Sequence, residues 1–400
     1  YKRVPFAEEA DIYVINTCSV TDAADKKCRQ AIKKITTQHP GAFVAVVGCY
    51  AQLKPDEVAS IPGVDLVLGT NEKFDIPKYI GNLNKKKAPE IHSCESSAIE
   101  AITPSWSMGD RTRSFLKVQD GCDYHCSYCT IPLARGRSRN LPVAECVSEA
   151  HKIAGAGVRE IVLTGINTGD FGRSTGESFI DLLHELIQVE GIERYRISSI
   201  EPNLITDSII EIAASGRSLM PHFHIPLQSG CNKTLALMKR RYNRELFAER
   251  IGKIRSLVPL AGIGADVITG FPGETDEDFE DTFSFISSMP LSYLHVFRYS
   301  ERPGTLAAGL PDKVPQKVRE ERSRQLLRLS ESKRSAFNRM NQGLIWPVLF
   351  EQARADGMAT GFTPNYIKVV VNPERGLTGK VRQVRLTALL EDGEMTGELI

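Results

Sequence analysis

Four hundred residues are roughly two to three times the usual domain length, so two or three domains are expected rather than one small module. A composition of 42% hydrophobic and 25% charged residues is that of an ordinary globular protein and excludes fibrous and disordered classes. Fifty Lys+Arg against 49 Asp+Glu leave a formal charge of +1, so any nucleic-acid contact has to come from local patches.

The chain opens on Tyr1-Lys2-Arg3-Val4-Pro5 without an apolar signal core, and no stretch approaches the roughly 18 apolar residues of a spanning helix. Neither secretion nor a membrane association is supported, and a cytoplasmic location is expected. A first residue other than Met marks the chain as an expected fragment.

Short apolar runs at Ile12–Ile15, Phe43–Val47 and Val64–Leu68 read as strands, with a helix from Asp22 to Thr37 between the first two. This βαβ pattern predicts a parallel α/β domain over residues 1–82. Periodicity then fails from Gly81 to Met108, through Lys85-Lys86-Lys87 and a Ser-rich tract, so residues 83–107 read as a linker. A second α/β region follows over 108–338. Its candidate strands are Phe115–Val118, Glu160–Thr164, Tyr195–Ile200, His222–Pro226, Gly262–Ile268 and Tyr293–Tyr299. Helical patterns at Val143–Ile153, Phe179–Ile187, Glu245–Val258 and Asp276–Ser287 separate them. Six βα repeats suggest a partial barrel with its site at the C-terminal strand ends, although a doubly wound sheet fits the same order. A charged helix covers Val314–Arg339. Beyond it Leu344–Phe350, Tyr366–Val371 and Gly379–Leu389 suggest a small all-β barrel over 339–400, of a kind that often binds RNA.

Nine cysteines in a chain without a secretory signal favour thiolate metal ligands over disulfides. The run Gly121-Cys122-Asp123-Tyr124-His125-Cys126-Ser127-Tyr128-Cys129 has CxxxCxxC spacing and directly follows the first strand of the second α/β region. Three thiolates on one loop can each take one iron of a 4Fe-4S cube and leave the fourth iron open. A structural zinc that recruits His125 or a remote Cys is the plain alternative.

Together with Arg113–Val118 and Thr130-Ile131-Pro132, this run resembles the radical S-adenosylmethionine (SAM) motif of the methylthiotransferases. The resemblance spans nearly the whole chain, through Asn16–Thr21, Gly48–Gln52, Leu163–Asn167, Pro226–Gly230, Gly270–Thr275 and Tyr299–Thr305. It implies a 4Fe-4S cluster on Cys122, Cys126 and Cys129 whose open iron chelates SAM, and whose electron cleaves it to a 5′-deoxyadenosyl radical. It also implies a second, auxiliary 4Fe-4S cluster, with Cys18 and Cys49 matching two of its three ligands; read alone, either could be a buried structural thiol. The third is expected in a segment before Tyr1, so the auxiliary site is expected to be incomplete here. Cys28, Cys94, Cys146 and Cys231 match no ligand, and Cys28 could substitute only if its helix faces Cys18.

SAM needs partners for its methionyl, ribose and adenine parts. Thr164, Gly165 and Asn167 stand where the family's loop approaches the methionyl group, and Ser199 and Glu201 suit ribose hydroxyls. Gln228 and Asp266 are further candidates, and Tyr128 is expected beside the adenine. Such residues are also often only turn glycines and helix caps.

Two segments carry net +5, Lys239–Arg255 with seven basic and two acidic residues and Gln316–Arg339 with eight and three. Phosphate contact is their natural use, and a solvated helix face the plain one. The C-terminal barrel resembles a TRAM domain, an RNA-binding appendage, although it carries six basic and seven acidic residues. Its segment Gly361–Val369 resembles that of the subfamily acting on N6-threonylcarbamoyladenosine in tRNA. Lys239, Arg240, Arg241 and Lys368 are the candidate RNA contacts, with Phe362 and Tyr366 placed to stack on bases or to fill the barrel core. The implied activity is insertion of a methylthio group at carbon 2 of that nucleoside, immediately 3′ of the anticodon. The implied partners are the tRNA anticodon stem-loop and an electron donor such as flavodoxin or ferredoxin, and a monomer is expected. Within the family the alternatives are isopentenyladenosine in tRNA and an aspartate of a ribosomal protein. A non-catalytic RNA-binding protein with structural zinc is the alternative from another class.

Overall fold

Strand Ile12–Thr17 buries Tyr13, Ile15 and Thr17 and turns the residues between them toward solvent, whereas Phe43–Gly48 is buried at every position. An uninterrupted apolar run of the second kind suits a central strand covered on both faces. The computed structural model, which describes residues 2–6, 8–81, 83, 85, 88–100, 102–107 and 112–400, pairs these strands in parallel with Thr17 opposite Gly48. Leu66–Leu68 and Glu90–His92 extend the sheet, also in parallel. The last strand lies inside the stretch expected as a linker. It is a short edge strand with little buried surface, so no apolar pattern announces it. Lys86 and Lys87 lie outside the described residues.

Two compact units divide the chain. The first comprises Tyr1–Thr103, Gly121–Ser138 and Ser300–Gly309, and the second Pro104–Asp120, Arg139–Tyr299 and Leu310–Ile400. The cysteine loop therefore belongs with the N-terminal sheet, a grouping that a linear division of the sequence does not reveal.

Within the first unit, helix Asp22–Gln38 starts where the Thr21 side chain accepts from Ala24 N. Asp25 in its first turn is fully buried and accepts from Ser19 Oγ at 2.7 Å and from Arg302 Nη2 at 2.9 Å. Arg302 is itself 3% exposed and also donates to Ser19 Oγ. Arg302→Leu leaves a buried carboxylate with the neutral Ser19 hydroxyl and, as its remaining cation, the more distant Lys54 at 3.4 Å. We expect it to lower the unfolding free energy by about 3–5 kcal/mol. Urea unfolding followed at this unit checks it, and an unchanged midpoint would refute the role assigned to the pair.

The second unit holds six parallel strands in chain order, in two sheets. Arg113–Lys117, Glu160–Thr164 and Arg194–Ile197 form one, and His222–His224, Gly262–Thr269 and Tyr293–Arg298 the other. Backbone bonds from Met220 N to Tyr195 O (2.8 Å) and Ile200 N to His224 O (3.0 Å) join them, which makes a partial (β/α)6 barrel and not a doubly wound sheet. Helices include Val143–Gly155, Phe179–Leu186, Arg244–Leu257 and Asp276–Ser288, close to their expected bounds. Alternate strand residues such as Leu116, Ile161, Leu163, Tyr195 and Ile263 are buried and apolar. Their neighbours Arg113, Glu160, Arg194, Arg196, His222, His224 and Asp266 share the opposite, polar face.

Helix Gln316–Met340 leads into a closed five-stranded barrel of Ile345–Phe350, Ala359–Phe362, Lys368–Val371, Val381–Leu389 and Met395–Leu399. Two of these strands carry no β-branched run and escape a pattern reading. Each contains a glycine where strands approach closely. A Cβ at Gly361 would stand 2.5 Å from Leu349 O, and one at Gly397 2.3 Å from Val384 Cγ1. Among the described residues, no helix is long and apolar enough to cross a membrane.

Candidate cluster and cofactor site

In the first unit the cysteine loop is closed by Cys122 N donating to Gly136 O at 3.1 Å and tightened by Cys129 N donating to Cys126 O at 3.1 Å. The short helix Ile131–Arg135 follows, with Pro132 in its first turn, and ends at Gly136, whose φ of +70° demands glycine. All nine cysteines are thiols rather than disulfides, and Cys122, Cys126 and Cys129 are half-buried. Tyr124 N lies 3.4 Å from Cys122 Sγ and Ile131 N 3.5 Å from Cys129 Sγ. Backbone donors aimed at sulfur favour thiolate, and three thiols on one loop are the donor chemistry of an iron–sulfur cube. Tyr128 is half-buried on the same loop, and His125 is exposed.

Cys18 and Cys49 each follow one of the paired residues Thr17 and Gly48, so they stand side by side at the C-terminal edge of the sheet. Cys18 is exposed. Cys49 is buried, and Arg135 Nε donates to its sulfur at 3.1 Å. The helix carrying Cys28 does face Cys18, since Cys28 Sγ donates to Cys18 O at 3.5 Å. Burial pushes the Cys28 thiol up, as it does that of Cys94.

In the second unit Gln119 Oε1 accepts from both Ile166 N and Asn167 N at 2.9 Å and shapes the loop after Glu160–Thr164. A Cβ at Gly165 would meet that same oxygen at 2.8 Å. Thr164 Oγ1 is spent on Leu116 O. Asn167 is 4% exposed, yet neither end of its amide has a hydrogen-bond partner among the described residues. An orphaned buried amide at a strand end is the group that a polar cofactor would satisfy. Ser199 is half-buried, and its carbonyl accepts from Thr168 Oγ1. Gln228 holds a φ of +65° while its backbone bridges to Asp266 and Ile268. Glu201, expected at a ribose, accepts from Arg240, expected at RNA. Burial raises the Glu201 carboxyl despite that guanidinium.

Asp266 is likewise engaged, with His224 Nε2 at 2.8 Å and His295 Nδ1 at 3.4 Å. Burial opposes its ionisation, but hydrogen bonds from the two imidazoles hold the carboxyl down at about 2. His224, His295, His222 and Tyr293 were not singled out from the sequence, although His222-x-His224 is the spacing that puts two imidazoles on one face of a strand. On the same face Glu160 is fully buried among Arg196 (3.0 Å), Arg194 (3.6 Å) and Arg113 (4.0 Å).

Residues 116–286 match the model of the radical SAM superfamily, and residues 1–69 that of the uncharacterized protein family UPF0004. Threonylcarbamoyladenosine tRNA methylthiotransferase MtaB of Bacillus subtilis is 40% identical over 396 residues, covering 96% of this chain and 87% of the relative. The MtaB of Aquifex aeolicus is 38% identical over 374 residues, covering 92% and 89%. The chain belongs to the radical SAM methylthiotransferase family. It is thus a tRNA-modifying transferase, of a family whose cofactors are SAM and two 4Fe-4S clusters. A tRNA-2-methylthio-N(6)-dimethylallyladenosine synthase of Carboxydothermus hydrogenoformans is 32% identical over 400 residues, covering 96% and 90%. The radical SAM methyltransferase TsrM of Kitasatospora setae aligns at a TM-score of 0.56 and 14% identity, over 75% of this chain and 66% of that one, a likeness of fold.

In this methylthiotransferase much of the basic charge expected at RNA is used within the fold. Arg244 pairs with Asp281, Arg250 with Asp207, and Arg322 with Glu274 and Asp276. Arg255 donates to the carbonyls of Pro259, Ala261 and Pro290. Lys239 and Arg241 are exposed. Lys368 pairs with Glu394 at 2.6 Å. Phe362 and Tyr366 stack on each other at 4.8 Å, with Arg113 over the first ring at 4.7 Å and Arg196 over the second at 4.8 Å.

Proposed function

We propose that this chain inserts a methylthio group at carbon 2 of N6-threonylcarbamoyladenosine immediately 3′ of the anticodon. The observation that carries this reading is its 40% identity, over nearly its whole length, to a relative named for that nucleoside. The triple-cysteine loop supports the chemistry, because an aromatic C–H bond with no acidic proton is out of reach of acid–base catalysis.

Cys122, Cys126 and Cys129 would hold the SAM-cleaving cluster, and Cys18 and Cys49 would contribute to the auxiliary one. When bound, a cube with one iron outside the thiolate set supplies the electron that cleaves SAM to a carbon radical. The protein's task is to hold the reactants. Gln119 fixes the loop backbone, and the Asn167 amide offers one donor and one acceptor to a polar part of SAM. Ser199, Gln228 and Tyr128 remain candidates for its ribose and adenine. Asn167→Leu keeps the branched shape and removes both groups; we expect the Kd for SAM to rise about tenfold or more, from one or two lost hydrogen bonds. Isothermal titration with the folded variant checks it, and an unchanged Kd would remove Asn167 from the site.

Lys239 and Arg241 are the exposed cations proposed to meet phosphate. Each change to Ala should weaken tRNA binding uniformly and lower the slope of log K against log salt by about one. Unaltered slopes in both variants would move the RNA surface elsewhere.

Mass spectrometry of tRNA nucleosides from cells lacking the gene tests the function itself. Loss of the 2-methylthio-threonylcarbamoyl nucleoside is the expected result. Its persistence, with loss of the isopentenyl counterpart, would transfer the assignment to the other tRNA reaction of the family.

A further inference from the structure

We propose that His224, Asp266 and His295 form a binding site for one divalent transition-metal ion, of the Zn2+ or Fe2+ class, separate from the iron–sulfur clusters. This assignment goes beyond methylthio transfer and does not depend on it.

The three donors come from adjacent parallel strands, His222–His224, Gly262–Thr269 and Tyr293–Arg298. Asp266 is in register with His295, and His224 with Gly264, two residues before Asp266 on the same face. Strand backbones therefore set the spacing, and no loop has to order itself to complete the group. One ligand atom from each residue lies within 4.8 Å of the others, and no other such group of three occurs among the described residues.

Separation and chemistry both suit an ion. Two donors bound at about 2.0–2.2 Å, at angles between octahedral and tetrahedral values, stand roughly 2.8–3.6 Å apart. The carboxylate oxygen lies 2.8 Å from His224 Nε2 and 3.4 Å from His295 Nδ1. Two imidazoles and one carboxylate select borderline divalent ions over Mg2+ or Ca2+, and leave positions for water or another oxygen ligand.

The surroundings resemble a metal site in a further respect. A ligating imidazole is usually oriented through its other nitrogen. His224 Nδ1 faces Tyr293 Oη at 3.4 Å, and His222 Nε2 meets the same hydroxyl at 2.9 Å. Gly264 makes room for that tyrosine, since a Cβ there would stand 2.2 Å from Tyr293 Cζ. His295 is the exposed member and, with Tyr293, Phe337 and Tyr366, lines a cavity of about 410 Å³.

Titration of the full chain, with its iron–sulfur clusters reconstituted, against CoCl2 tests the site. One equivalent should bind with visible d–d bands and without the near-ultraviolet band of thiolate ligation. Asp266→Asn and His295→Ala should each abolish that signal. His295 is exposed, so its variant is expected to keep the parent's melting temperature and to separate binding from folding. Tyr293→Phe, a change at a positioning residue, should weaken Co2+ about 10–100-fold. Co2+ bound only with thiolate bands, or bound equally by the Asp266 and His295 variants, would show that the three side chains form a hydrogen-bonded chain and no metal site.

Discussion

Cys126→Ala is expected to abolish reductive cleavage of SAM. Cys126 is the middle thiol of a loop whose ends are tied by the Cys122–Gly136 backbone bond. No other cysteine occupies the loop, so removal of its sulfur leaves a second iron of the cube without a protein ligand. We expect 5′-deoxyadenosine formation under dithionite to fall by at least about 10³-fold, equivalent to roughly 4 kcal/mol in the barrier. Cys146→Ala is the control. Cys146 is fully buried in helix Val143–Gly155, and burial pushes its thiol up to about 12, so it is a packing group. Its variant should keep parental iron content and SAM cleavage. Equal cleavage by Cys126→Ala and the parent would remove the loop from the assigned chemistry.

The second large effect is expected at Glu160. Its carboxylate is fully buried and meets Arg196 and Arg194, each about 3% exposed in its side chain, and Arg113. The same arginines hold the C-terminal barrel. Arg194 donates to Phe362 O at 3.0 Å and to Pro347 O at 2.6 Å, Arg196 donates to Pro364 O at 2.9 Å, and Arg113 pairs with Glu351 at 2.9 Å. Glu160→Gln keeps the shape and leaves three guanidiniums without their shared counter-charge. A loss of about 3–5 kcal/mol in unfolding free energy is expected. Burial by itself raises the Glu160 carboxyl, but the guanidiniums of Arg196, Arg194 and Arg113 outweigh it and hold it below the ordinary range. A carboxyl depressed on folding stabilises above its unfolded value and loses that contribution as pH falls through the folded one. The parent should therefore lose stability on acidification, and Glu160→Gln should lack that component. Identical midpoints and identical acid limbs in urea unfolding would refute the role.

The cluster motif needed little beyond the sequence. Three cysteines within eight consecutive residues are brought together by chain connectivity, whatever the rest of the molecule does. The placement of Cys18 and Cys49 at neighbouring strand ends was legible for a related reason, since each directly follows an apolar strand and parallel pairing aligns the strand ends. The candidates at Glu201 and Arg240 show where such reasoning stops. Each suggested a ligand by its type and place, and the fold uses each to neutralise the other across 39 positions.

Local pattern determined the order of strands and helices, the glycine and proline stops and the triple-thiol loop, because propensity, period and short-range sterics are properties of neighbouring residues. Tertiary structure decided the edge strand Glu90–His92, the union of the cysteine loop with the N-terminal sheet in one unit, the arginine cluster around Glu160, and the meeting of His224, Asp266 and His295. Those features depend on which distant residue neutralises a buried charge or fills a strand's open side. That choice is made by pairing across the folded chain, and no window of sequence contains both partners.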